Sequence, residues 1–139
     1  MTVALLLIGC SASKTPNYEV EVVTIDAQML EDLNSTPTTF VVDIVEDHYA
    51  WERAQTFFRD YANTKPRLLE RRGRLVLFNQ PAEGTNFIYS VEKERQSTGI
   101  RYTVECQTQK LDPAAAQLNA HNLARFIRDG TLELSLLNR

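Results

Sequence analysis

The sequence predicts an α+β domain, an antiparallel sheet with two helices packed on one face. Three observations carry that expectation. Ile100, Tyr102, Val104 and Cys106 alternate strictly with Arg101, Thr103, Glu105 and Gln107, the two-residue period of a half-buried strand, behind the turn residues Gln96-Ser97-Thr98-Gly99. Trp51, Ala54, Phe58 and Tyr61 recur at helical spacing. Asp112-Pro113 pairs a capping carboxylate with a proline at the first helical position, ahead of a second apolar stripe. The chain has 139 residues, 43% apolar and 24% charged, enough to bury a core without cross-links. Two cysteines and two histidines assemble neither a disulfide framework nor a Cys/His zinc module.

The elements follow in order. Tyr18 to Ile25 reads as a strand, with Tyr18, Val20 and Val22 alternating with Glu19 and Glu21. Asp26 to Asn34 reads as a short helical turn, and Ser35-Thr36-Pro37 breaks it. Thr38 to Val45 is a β-branched apolar run, expected as a central strand. Glu46 and Asp47 stand where a helix's positive end favours acids. The helix they open has Ala50, Phe57 and Ala62 flanking its apolar stripe and Glu52, Arg53, Arg59 and Asp60 on the other side, and it ends near Asn63 and Pro66. Arg74 to Asn79 and Thr85 to Arg95 are two further strands, and the hairpin partner runs from Ile100 to Gln107. In the second helix Ala116, Ala120, Leu123, Ala124 and Ile127 share one face, and Gly130 stops it. Leu132, Leu134 and Leu136, alternating with polar residues, are expected as a last strand. The order is β-β-α-β-β-β-α-β, with no internal repeat and no interdomain linker.

The N-terminus carries the most specific motif. Val3 to Ile8 is a short apolar run, too short to span a bilayer, followed by Gly9, Cys10 and the small polar stretch Ser11 to Asn17. Leu7-Ile8-Gly9-Cys10 resembles the lipobox of bacterial lipoproteins, in which an apolar and two smaller residues precede a cysteine that is lipidated on its thiol and becomes the mature N-terminus. The resemblance implies lipidation at Cys10, a signal over 1–9, a tether over 10–17 and a single α+β domain over 18–139. It also implies a bacterial cell-envelope location, with the chain held at the membrane by its lipid anchor. The other reading of these residues is a buried first strand, Thr2 to Ile8, in a cytosolic α+β enzyme or complex subunit. A phosphate-binding loop does not fit, because G-x-x-x-x-G-K-[ST] lacks its second glycine here and Pro16 follows where a helix must open.

Charge is unevenly spread. The net charge is −3, which argues against a nucleic-acid partner. No Lys or Arg lies between Lys14 and Arg53, an interval holding nine acids, whereas fourteen of the fifteen basic residues lie from Arg53 onward. The densest basic stretch runs from Lys65 to Arg74, with Lys65, Arg67, Arg71, Arg72 and Arg74 against the single acid Glu70. It is the candidate binding surface, for an envelope protein, an anionic polymer or anionic headgroups. The same composition suits a solvated connection from helix to strand, with Leu68 and Leu69 turned to the core. Asp43, Glu46, Asp47 and His48 would suit a hard cation or acid–base work, but read as a strand end followed by helix-capping acids. His121 falls on a polar helix face, and Cys106 on the apolar side of its strand, a buried inert thiol. No catalytic triad, metal-binding or cofactor-binding fingerprint is present, so no cofactor is expected. The functional expectation is a membrane-tethered, non-enzymatic binding or assembly component.

Overall fold

The computed structural model describes residues 26–62 and 65–137, and the chain divides into two compact units, Met1–Glu31 and Asp32–Arg139. Thr2 to Ile8, Cys10, the tether and the expected strand Tyr18 to Ile25 lie outside the described residues. Helix α1 (Ala27–Ser35) crosses the division. In the first unit Asp26 opens it, with its Oδ1 accepting from Gln28 N at 3.1 Å. In the second unit Leu33 is fully buried, the Ser35 and Thr36 hydroxyls bond back to Asp32 O, and Pro37 then forbids continuation. The short turn expected here is therefore a nine-residue helix.

The second unit is α+β. Strands β1 (Thr39–Val42), β2 (Pro66–Arg71), β3 (Arg74–Asn79), β4 (Ile88–Gln96) and β5 (Gly99–Gln107) form an antiparallel sheet in the order β1-β5-β4-β3-β2. Helices α2 (Asp47–Asp60) and α3 (Pro113–Asp129) cover one face, α2 against β3 and α3 against β5. The register places Phe40, Leu77, Tyr89, Val91, Tyr102 and Val104 on that face, all buried. From the helices, Ala50, Ala54, Phe57 and Phe58 of α2 and Ala116, Leu123, Ala124 and Ile127 of α3 complete the core. The alanines let the helix backbones approach the sheet while the aromatic rings fill the space between, with Phe57 edge-on to Tyr89 at 4.8 Å between centroids.

Local chemistry agrees with the sequence at both ends of α3. Asp112 accepts from Ala114 N at 2.9 Å, and Gly130, at φ 83°, closes the helix through its N–H on Phe126 O. The β4–β5 hairpin also forms where expected, with Gln96 opposite Gly99.

Three expectations are corrected. The run Thr38 to Val45 is not a central strand among the described residues; there β1 pairs only with β5, at the sheet edge, and it stops at Val42. Asp43 ends it by accepting amide hydrogens from Val45 on its side chain and from Glu46 and Asp47 on its carbonyl, leaving Ile44 and Val45 exposed in the turn. The Lys65 to Arg74 stretch is not a connection but contains β2 and the turn into β3. The residues from Leu132 to Leu136 are not a strand: Leu134–Leu136 form a 3₁₀ turn. Buried Asn122 takes both main-chain groups of Glu133, accepting from its N and donating to its O at 2.9 Å each, and Asn119 donates to Leu136 O. The polar groups a neighbouring strand would bond are already paired with side chains of α3.

Candidate contact surface

One face of the sheet carries no helix among the described residues. There the register lines up Arg67, Leu69 and Arg71 of β2, Arg74, Val76 and Phe78 of β3, Glu92 and Glu94 of β4, and Arg101 of β5. A cleft of about 400 Å³ opens on it, with Leu69 and Val76 as apolar floor, Arg71, Arg72 and Arg74 on one side and Glu92 and Glu94 on the other. Arg74 spans the cleft, 3.4 Å from Glu92 and 3.3 Å from Glu94, and Arg101 also pairs with Glu94. Lys65, Arg67, Arg71 and Arg72 make no ion pair among the described residues.

All six residues of β2 are exposed. The strand lies beyond the helical layer, so Leu68, on the helix side, is 59% exposed and Leu69, on the open side, 48%. The expectation that these leucines turn to the core is thus overturned: there is no core under the outermost strand. The turn Arg72-Gly73 has positive φ at both residues, 52° and 77°, the two-residue hairpin geometry that matches strand twist. Glycine adopts it freely, while Arg72 is held there by the closing pair Arg71–Arg74. Of the five basic residues named from the sequence, Arg71, Arg72 and Arg74 meet at the turn of the hairpin, Arg67 lies farther along β2 and Lys65 just ahead of it; Arg74 is neutralised by acids of β4 and the other four are exposed.

The remaining candidates separate. Among the described residues no group of three His, Cys, Asp or Glu side chains could hold a metal ion. Asp43 is used in its turn, and Asp47 points inward, 2.9 Å from Lys93 Nζ, while its other oxygen accepts from the Tyr102 hydroxyl at 2.7 Å. Lys93 Nζ also lies 4.6 Å from the centre of the Trp51 ring. Burial first, then the hydrogen bond to Asp47, raises the Tyr102 phenol well above its ordinary pKa. This knot ties α2 to β4 and β5 and was not read from the sequence, where only an acid in the first helical turn hinted at it. His121 is half-buried rather than solvated: its Nδ1 donates to Thr36 O at 2.6 Å, which leaves Nε2 to accept from Gln117. Cys106 is half-buried, and burial pushes its thiol up to about 12, so it is protonated in neutral solution.

No helix among the described residues is long and apolar enough to cross a membrane. Comparison with protein-family models, with curated proteins and with solved structures gave no match.

Proposed function

We propose that this chain is a non-enzymatic binding or assembly component of a bacterial envelope, held at the membrane through lipid on Cys10, with the basic β2–β3 hairpin as its contact surface. The observation that carries the reading is the hairpin itself. Lys65 just ahead of β2, Arg67 and Arg71 on it and Arg72 in its turn, none of them ion-paired among the described residues, flank two exposed leucines on an outermost strand that no helix among the described residues covers. In a stable monomer such a strand is ordinarily short, charged and lacking exposed apolar residues, so exposed leucines between arginines point to a partner. The anchor rests on the lipobox-like Leu7-Ile8-Gly9-Cys10, and places the contact surface near other envelope components.

Recovery of binding partners from envelope extract, with wild type beside Arg71→Glu/Arg72→Glu, tests the contact role. Wild-type recovery should fall when salt is raised from about 0.1 M to about 1 M, as the screening length shortens from about 10 Å to about 3 Å. The variant should lose recovery already at low salt while its melting temperature hardly moves, since exposed charges of this kind contribute about 0 to 1 kcal/mol. Equal recoveries at both salt concentrations return the hairpin to ordinary surface.

A further inference from the structure

Among the described residues no strand pairs with the outer edge of β2, and that edge has a definite pattern of donors, acceptors and charges. Arg71 and Arg74 close the two-residue turn, and the closing pair of such a hairpin exchanges both of its main-chain hydrogen bonds. Alternation then turns the main-chain groups of Arg67, Leu69 and Arg71 toward β3 and those of Pro66, Leu68 and Glu70 outward. The outer edge offers two N–H donors, Leu68 and Glu70, and three carbonyl acceptors, because Pro66 has no N–H. Side chains alternate the other way: Arg67, Leu69 and Arg71 stand on the open face of the sheet, Leu68 and Glu70 on the helix side.

We infer that β2 accepts an added antiparallel strand from an acidic, extended segment of a partner protein, with carboxylates opposite Arg67 and Arg71 and apolar side chains opposite Leu68 and Leu69. The inference rests on the contact role proposed above and names the partner's chemistry. Main-chain bonding supplies a sequence-independent term, and the charges select. They also select against a second copy of this chain. A two-fold axis normal to the sheet pairs residues of like parity. The register centred on Leu69 sets Arg67 against Arg71 twice, and the register centred on Leu68 sets Arg71 against Lys65 twice. Like charges directly opposite destabilise a strand pair, whereas an acidic strand meets a cation at each end of a two-leucine patch.

The full chain, labelled with ¹⁵N, tests this with the capped peptide Gly-Glu-Thr-Val-Val-Glu-Gly, whose antiparallel register satisfies every position, and with its charge-reversed form Gly-Lys-Thr-Val-Val-Lys-Gly. The acidic peptide should bind saturably and at least about tenfold tighter than the basic one, as two opposed pairs pass from attraction to repulsion. On saturation, hydrogen exchange at the Leu68 and Glu70 amides should slow by about tenfold or more, while Leu69, already bonded inward, changes little. Arg67→Glu/Arg71→Glu should reverse the preference. Arg67→Gln/Arg71→Gln, which adds no repulsion within the hairpin, should abolish it, with spectra outside β2 and β3 unchanged in both variants. Equal affinities for the two peptides, or binding without protection at Leu68 and Glu70, overturn the added strand. So does peptide silence accompanied by shifts of these amides on vesicles of phosphatidylglycerol, which makes the surface a lipid contact. If the peptide fails while recovery from envelope extract still depends on Arg71 and Arg72, the contact role stands without the strand; if both fail, both readings fall.

Discussion

Phe58 and Cys106 sit on the same side of the sheet and answer to different physics. Phe58 is fully buried on α2 among core rings, and truncation to alanine leaves a cavity that alanine-rich helices have no side chains to fill. Phe58→Ala should cost about 3 to 5 kcal/mol, read as a lowered denaturant midpoint at unchanged slope. Cys106 reports through its proton. Its ordinary thiol pKa of 9.0 rises to about 12 by burial, so the folded state prefers the neutral form. A raised folded-state pKa contributes stability that is complete below pH 9 and is lost as pH climbs toward 12. Native protein should therefore react slowly with iodoacetamide at pH 9 and rapidly once unfolded, and Cys106→Ser should flatten part of the alkaline loss of stability between those limits. Equal alkylation rates of native and unfolded chain would show the thiol to be open. The buried phenols of Tyr89 and Tyr102, raised in the same way, add to the decline at higher pH.

Among elements, the β1–β5 pairing shows how one small residue decides an edge. Gly99 stands at φ 146°, and a Cβ built on it would meet Val42 O at 2.5 Å. β5 can start beside the end of β1 only because that atom is missing. Gly99→Ala should cost about 1 to 3 kcal/mol, and the loss should show as faster hydrogen exchange along β1, while the β3–β4 ladder keeps its protection. Uniform loss of protection across the sheet would instead make β1 part of the global cooperative unit. The sequence named Gly99 as a turn residue but held no sign of its neighbour, since Val42 is 57 positions away. The helices were more legible than the strands at either edge. Apolar spacing and caps are local, so the α2 stripe and both ends of α3 could be read directly. Whether a strand is central depends on what pairs on its two sides, and the apolar composition of Thr38 to Val45 could not express that.

For the molecule as a whole, location is the property open to the simplest test. If Cys10 carries lipid, the native protein partitions into detergent, and Cys10→Ala leaves it in the aqueous phase or uncleaved, because each buried methylene of an acyl chain adds about 0.8 kcal/mol of membrane affinity. Unchanged aqueous partitioning of material from the native host would remove the anchor from the proposal and leave the hairpin to be tested alone.

By itself the sequence determined the α+β class, the hairpin of β4 and β5, the two core helices with the caps of α3, and the basic composition of Lys65 to Arg74. Each depends on periodicity or on contacts within a few residues along the chain. Tertiary structure decided the rest. Arg53 reads as the polar side of α2, yet its guanidinium donates to Ile127 O and Arg128 O, at 2.7 and 2.9 Å, where the end of α3 leaves carbonyls unpaired. Asp47 reads as an acid at a helix start and proves to be tied to Lys93 and Tyr102. Leu68 and Leu69 read as core and are exposed, because an apolar side chain is buried only where another layer covers it, and the helices end short of β2.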